Sequence, residues 1–335
     1  MQKPQARYIT ALPENVVQCR LCPRKCRIPD GGRGVCGVRG NQGGAGIIPY
    51  YGAVTAAALD PIEKKPLYHY RPGSSVFSVG FVGCNLRCPF CQNWRISQNT
   101  GAPAQYFSPN DIICRAKAAG SAQIAYTYSE PLIHAEFLLD CMALARKSGI
   151  ANVLVSNGTV ADEAAEAILS LTDAANVDLK CHSEETYTQI LGGDLSAAID
   201  FIAKAWEMEV PLEVTTLVIP GLNDGDEEIQ RCIDVLRSIS PRIPWHLSAY
   251  HPDYTWTAPP TDPAHLVSIV RKARDVLSYV YSGNIAGEPN DTFCPHCNGL
   301  LVQRYGYHIE RGGLSFKGNK YYCRYCGKPA PFRYI

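Results

Sequence analysis

Between residues 74 and 288, short runs rich in β-branched and aromatic residues alternate with stretches whose apolar positions recur at helical spacing. The runs predict strands at 76–82, 123–128, 152–156, 176–180, 212–219 and 245–249, with a seventh at 279–282. The stretches between them predict helices at 109–119 behind an N-cap Ser108, 132–147, 161–171, 184–190 with 197–206, 226–237, and 263–277 behind Asp262. Strands that alternate with helices imply a parallel sheet with right-handed crossovers, either barrel-like or doubly wound. In both architectures chemistry gathers at the carboxyl ends of the strands.

The polar residues follow that rule. Cys84, Cys88 and Cys91 come after the first run, Ser129 and Glu130 after the second, and Ser156, Asn157 and Gly158 at the end of the third. Asp178 and Lys180 end the fourth, Pro220, Gly221, Asn223 and Asp224 follow the fifth, and Tyr250 and His251 follow the sixth. All six sets fall on one edge of the predicted sheet.

The flanks have a different texture. Residues 1–73 begin with a turn-rich segment, whose Pro23, Pro29, Gly31, Gly32, Gly34, Gly37 and Gly40 suit metal-knuckle turns and not a helix. They end in a connector, Asp60 to Gly73, whose prolines and mixed charges suit an extended, salt-bridged strap. The division expected is therefore 1–73 as a Cys-rich module and connector, 74–288 as the main domain, and 289–335 as a small carboxy-terminal domain. A length of 335 residues accommodates this, and 46% hydrophobic with 19% charged residues excludes a wholly disordered, collagenous or coiled-coil chain. No apolar run reaches the roughly 18 residues of a membrane span, and residues 1–17 lack the basic-then-apolar order of a signal peptide. The expectation is a soluble cytoplasmic protein with no membrane partner.

A net charge of +1 conceals an asymmetry. Residues 1–73 carry 11 Lys and Arg against 4 Asp and Glu, 74–290 carry 14 against 25, and 291–335 carry 7 against 2. The basic ends either bind an anionic partner such as RNA or dock onto the acidic middle, and docking is the expected arrangement.

Fifteen cysteines are too many for ordinary free thiols in a reducing compartment, where disulfides are disfavoured. Eleven fall in three sets, which implies three metal sites. Cys294, Cys297, Cys323 and Cys326 form two knuckles joined by a 25-residue excursion, the pattern of a zinc ribbon, with His296 and His308 left out as ligands. Cys19, Cys22, Cys26 and Cys36 could close a zinc site or hold an auxiliary [4Fe–4S] cluster, since all-thiolate ligation suits both. Cys84, Cys88 and Cys91 offer only three thiolates, which leaves one iron of a [4Fe–4S] cluster open to a ligand. Cys114, Cys141, Cys181 and Cys232 read as small buried hydrophobes. His134, His182 and His265 read as surface or core residues, and Trp94 as either core or a wall of the site.

Cys84-Asn-Leu-Arg-Cys88-Pro-Phe-Cys91, placed after the first strand of a βα domain, resembles the radical S-adenosylmethionine (radical SAM) superfamily. The resemblance implies an α/β fold with a partial (βα)6 TIM-type barrel, flanked here by the Cys-rich module and the zinc ribbon. It also implies that the open iron chelates S-adenosylmethionine, whose reductive cleavage gives a 5′-deoxyadenosyl radical for hydrogen abstraction. Tyr128-Ser-Glu130-Pro131 looks like the superfamily's Gly-Gly-Glu-Pro loop, with Glu130 receiving the methionine ammonium and with non-glycine residues at its first two positions. Ser156-Asn157-Gly158 looks like the ribose-contacting turn, and Phe90 like an apolar neighbour of the adenine. Asp178-Leu-Lys180, residues 218–221 and Tyr250-His251 resemble pyruvate formate-lyase activating enzymes, whose Lys and His approach the cofactor. Val155 and Thr215 stand where those activases place an Asp and an Arg.

Over nearly its whole length, through residues 19–39, 60–69, 83–93, 126–131 and 215–221, the chain resembles the radical SAM enzymes of the AmmeMemoRadiSam system. The implied function is that of a radical SAM oxidoreductase with an electron donor such as flavodoxin or ferredoxin. The resemblance leaves the residues acting on the substrate unassigned. A glycyl-radical-enzyme activase, which needs a protein partner, is one reading, and modification of RNA or a small molecule is the alternative. A non-catalytic metal scaffold would explain the flanking sets but not the three-cysteine loop.

Overall fold

The computed structural model describes residues 5–318 and 320–333. Its centre is a nine-stranded mixed sheet: β1 Ala53–Pro61, β2 Ser75–Phe81, β3 Gln105–Tyr106, β4 Gln123–Thr127, β5 Ala151–Ser156, β6 Ala174–Asp178, β7 Leu212–Val218, β8 Trp245–Ala249 and β9 Val280–Gly283. The spatial order is β9-β8-β7-β6-β5-β4-β2-β1-β3. The seven strands from β2 to β9, leaving out β3, are parallel neighbours in chain order, as the alternating pattern requires. Between them run α1 Pro109–Ala118, α2 Ala135–Lys147, α3 Asp162–Leu169, α4 Leu195–Glu207, α5 Asp226–Ile239 and α6 Pro263–Arg274. Ser108 and Asp262 cap their helices as expected, each followed by proline. The expected helix at 184–190 is instead a wide π turn, Thr186–Leu191, whose Tyr187 hydroxyl accepts a bond from the Lys180 amide at 3.2 Å.

Residues 53–61, read from sequence within the amino-terminal module and connector, form β1 and pair antiparallel with β2. The run Ala53 to Leu59 is apolar and can extend the sheet, whereas the connector proper begins only after Pro61.

The two faces of the sheet differ because side chains alternate along each strand. Phe77, Val79, Phe81, Ile124, Tyr126, Leu154, Val177, Val214 and Leu247 are buried with the helices in the main core. The register aligns Ser78, Ala125, Val153 and Ala174 in one row on the other face, where small side chains leave space. The strap fills it: Ile62, Leu67 and Tyr70 pack against Val76, Ala125, Val153 and Ala174. Its backbone groups find polar partners on the same face. Asn176 Nδ2 donates to the Pro66 carbonyl at 2.8 Å, and the His69 amide donates to Glu213 at 2.7 Å. Glu213 also accepts from His246 at 2.7 Å, and burial is outweighed there by these donors, which hold its carboxyl below the usual range.

The carboxy-terminal module has a small core of its own, formed by Cys294, Leu301, Val302, Leu314, Tyr321, Cys323 and Phe332. It grips the strap through Arg304, which is buried over the Tyr68 ring and donates to the Tyr68 carbonyl at 2.9 Å. At the other end, Arg39 is buried and forms a two-pronged pair with Glu136 of α2, at 2.8 and 3.0 Å. The Arg39 contact takes a basic residue of the amino-terminal segment onto the acidic middle, whereas Arg304 meets the strap. Cys141, Cys181 and Cys232 are buried as expected, but Cys114 is exposed. It occupies the outer face of α1, whose inner face is supplied by Ile112, Ile113 and Ala116.

Removing one partner of a buried pair leaves an uncompensated charge. Arg39→Met should therefore lower the stability of the chain by about 3–5 kcal/mol, read as a reduced unfolding midpoint in urea, whereas exposed Arg231→Met should change it little.

Candidate active site

The three-cysteine loop leaves β2 through Gly83, whose φ of +83° favours glycine. A Cβ there would also lie 2.6 Å from the Cys36 carbonyl oxygen, so the loop is pressed under the amino-terminal module. Beyond it, the Cys84 sulfur receives the Leu86 amide at 3.3 Å and the Asn157 side-chain amide at 3.7 Å, and the Cys91 sulfur lies 3.2 Å from the Ser97 hydroxyl. Burial pushes the Cys84 thiol well up and the Cys88 thiol to about 11, so metal loading must displace protons.

Glu130 caps the turn after β4, and Pro131 starts a short 3-10 helix behind it. Its carboxylate is fully buried and has no cationic partner among the described residues. Oε1 accepts from the Leu132 amide at 2.9 Å and the Ser156 hydroxyl at 2.7 Å, and Oε2 accepts from the Asn157 amide at 2.9 Å. Burial outweighs these three donors and pushes the carboxyl up to about 7. Asn157 links this knot to the cysteine loop, donating to Asn85 Oδ1 at 3.0 Å, while Asn85 donates to the Thr159 carbonyl at 2.7 Å.

The end of β6 adds an ion pair, Lys180 Nζ to Asp178 at 3.0 Å. Burial opposes the Lys180 charge, but Asp178 and the nearby Cys88 keep the ammonium well above its usual range. His251, after β8, is exposed and meets the Gln92 side chain at 3.2 Å on the rim of the loop. Phe90 is buried and packs edge-on to Trp256 at 6.4 Å. The structure thus brings Cys84, Cys88, Cys91, Glu130, Ser156, Asn157, Asp178 and Lys180 together at the carboxyl edge of the parallel strands. His251 lies on the loop's exposed rim, whereas Phe90 is buried in the main core.

Two features were not singled out from sequence, and a third showed there only as a departure from glycine. Residues 253–255 clamp the cysteine loop: Trp94 donates to Asp253 at 3.2 Å and stacks on Tyr254 at 5.1 Å, and the Thr255 amide donates to the Pro89 carbonyl at 3.0 Å. Trp94 is therefore held in that clamp. Asn85 lay inside the motif, where only the cysteines and Phe90 were given roles. Tyr128 adopts φ +67°, keeping a glycine-like backbone at the first position of its loop. The end of β1 and the start of the strap hold it there: Tyr128 donates to Asp60, whose carboxylate also binds Lys64 at 2.9 Å and buried Lys65 at 2.8 Å, and the Lys65 ammonium sits 4.2 Å from the centre of the Tyr128 ring. Burial works against the Asp60 charge, but these donors outweigh it and hold the carboxyl below the usual range.

A family model described as "Radical SAM superfamily" matches residues 78–233, which contain the three-cysteine loop, Glu130, Asn157 and Lys180. The chain belongs to the radical SAM superfamily. It is 35% identical over 330 residues to an uncharacterized protein of Methanocaldococcus jannaschii, covering 97% of this chain and 98% of that one. It is 25% identical over 182 residues to the pyruvate formate-lyase 1-activating enzyme of Escherichia coli, covering 52% and 74%. In fold it is similar to a radical SAM methyltransferase from Sphaerobacter thermophilus, with a TM-score of 0.51, 14% identity, and 64% and 68% of the chains covered.

Membership implies a [4Fe–4S] cluster and S-adenosylmethionine, and the three-cysteine loop fits the cluster. Its sulfurs come from one loop and number three, and among the described residues they do not converge tightly enough for one metal ion. In the radical SAM fold as found here, no helix among the described residues is long and apolar enough to cross a membrane.

Because burial raises the Glu130 pKa, the folded chain keeps this proton between about pH 4.3 and 7, where the unfolded chain has lost it. Stability contributed by the protonated form is present below that window and falls as pH rises through it. Unfolding measured at pH 5 and pH 8 should show this loss in the wild type and a smaller one in Glu130→Gln.

Proposed function

We propose that the chain is a hydrogen-abstracting radical SAM oxidoreductase whose cluster is held by Cys84, Cys88 and Cys91, within an open partial (βα)6 barrel. When bound, the cluster supplies the electron that cleaves S-adenosylmethionine to methionine and the 5′-deoxyadenosyl radical. The observation that carries this reading is the Glu130–Ser156–Asn157 knot tied directly to the Cys84 sulfur. Glu130 Oε2 accepts one protein donor and retains capacity for the methionine ammonium; on binding, that cation favours loss of the Glu130 proton. Asn157 orients cysteine loop and cofactor turn together. Lys180, fixed by Asp178, supplies positive charge beside Cys88, and Phe90 and His251 border the adenosine side.

The finer family is the radical SAM branch of the AmmeMemoRadiSam system, supported by motifs from Cys19 to Gly221. The likeness to activating enzymes over about half the chain supports a glycyl-radical activase with a protein substrate. RNA modification has less support, because Arg24, Arg39 and Arg304 bond to the chain itself. The electron donor in this reading is a flavodoxin or ferredoxin, and the setting is the reducing cytoplasm, in keeping with cysteines that are all free. A three-part division belongs to the same reading, with its second boundary at 288 and its first drawn ahead of β1, which pairs with β2 in the central sheet. Zinc is the metal proposed for Cys294, Cys297, Cys323 and Cys326.

After anaerobic reconstitution, reductant and S-adenosylmethionine should yield 5′-deoxyadenosine, and Cys88→Ala should abolish it while Cys141→Ala retains it. Full cleavage by Cys88→Ala would sink the assignment. Metal analysis should find zinc that Cys294→Ala removes; iron in its place would refute the zinc reading.

A further inference from the structure

The three cysteine sets fall into two geometrical classes. In the carboxy-terminal set, Cys294 and Cys326 sulfurs stand 3.7 Å apart, Cys297 and Cys323 3.6 Å apart, and all four lie within 4.8 Å of one another. Sulfurs bonded at about 2.3 Å to one tetrahedral ion stand about 3.8 Å apart, so this set is closed around a single metal atom. Among the described residues, no other Cys, His, Asp or Glu group of three or more is drawn together so tightly.

Cys19, Cys22, Cys26 and Cys36 are nonetheless neighbours. Cys19, Cys36 and Cys26 all act electrostatically on the Cys22 thiol, and Cys19 acts on Cys36. Among the described residues, neither they nor Cys84, Cys88 and Cys91 bring three sulfurs within 4.8 Å of one another, so neither set is closed around one ion. The cysteines of a four-iron cluster are each bonded to a different iron at its outer corners, which requires a wider spacing.

A second observation concerns charge. Arg39 spends Nη1 and Nη2 on Glu136 and the Arg7 carbonyl, and its buried guanidinium also faces the Cys19 sulfur. A buried cation beside four cysteines offsets the negative charge that their thiolates carry around a metal group.

We propose that Cys19, Cys22, Cys26 and Cys36 hold a second [4Fe–4S] cluster and not a zinc ion. The reading of the three-cysteine loop as a cluster site enters only as the internal standard for spacing. The second cluster abuts the first site: Arg24 bonds to Asn85 between Cys84 and Cys88, and the Cys36 carbonyl covers Gly83.

The test uses the full chain, reconstituted anaerobically with iron and sulfide and analysed for iron, acid-labile sulfide and zinc. Wild type should hold about eight irons, and the Cys84→Ala, Cys88→Ala, Cys91→Ala triple variant about four, with matching sulfide. Reduced with dithionite, the triple variant should show the paramagnetic resonance signal of a reduced cluster. The complementary Cys22→Ala, Cys36→Ala variant should retain about four irons. A wild type with two zinc ions, and a triple variant with no iron in which Cys22→Ala, Cys36→Ala removes one zinc, would overturn the proposal. Failure of the catalytic-loop reading looks different: the Cys22→Ala, Cys36→Ala variant would lose all its iron while the triple variant lost none.

Discussion

A carboxylate buried without a counter-charge is tolerated only if its neighbours supply hydrogen bonds, and Glu130 is the point on which this site depends. Its three donors come from two strand ends, so the carboxylate ties the β4 turn to the β5 turn. Asn157 then passes that order to Asn85 and Cys84. Each link is one hydrogen bond, worth about 1 kcal/mol net, but breaking any of them strands a polar group where water does not reach. The loop's other side is fixed independently by the clamp at residues 253–255.

The polar face of the sheet poses the opposite problem, since Asn176, Glu213 and His246 line it where helices do not cover it. The strap resolves this by burying Ile62, Leu67 and Tyr70 against the small residues and bonding its own backbone to the polar ones. At its start, Asp60 and Lys65 reach Tyr128 and support the backbone just ahead of Glu130. Floor and site are thus one connected structure.

Much of this was legible in the chain. Strand-helix alternation located the parallel strands, and the placement of polar residues after each strand located the site, because both rest on local periodicity. The strap was readable as salt-bridged, but not as the filling of one sheet face. Its seat depends on Ser78, Ala125, Val153 and Ala174 coming into one row, which register alone decides. Tyr128 looked like a departure from a glycine motif, and only the Asp60 and Lys65 contacts explain how a tyrosine holds a left-handed backbone there. The spacing of the amino-terminal cysteines was compatible with two metals, since sequence separation does not fix the distance between sulfurs. The exposure of Cys114 was missed because an apolar stretch does not say which way a helix turns.

The grip of Arg304 on Tyr68 joins residues 236 positions apart. A ribosome delivers the strap long before β9 and the carboxy-terminal module exist to hold it. The first segment can close its turns early, but the strap's far end must wait in an unsettled state until Arg304 has been made. Contacts this distant make the final step of assembly slow and leave apolar strap residues exposed meanwhile. Maturation of this protein is thus governed by residues made long after the strap, and a chain truncated before Arg304 would lose the anchor on which the floor of its site closes.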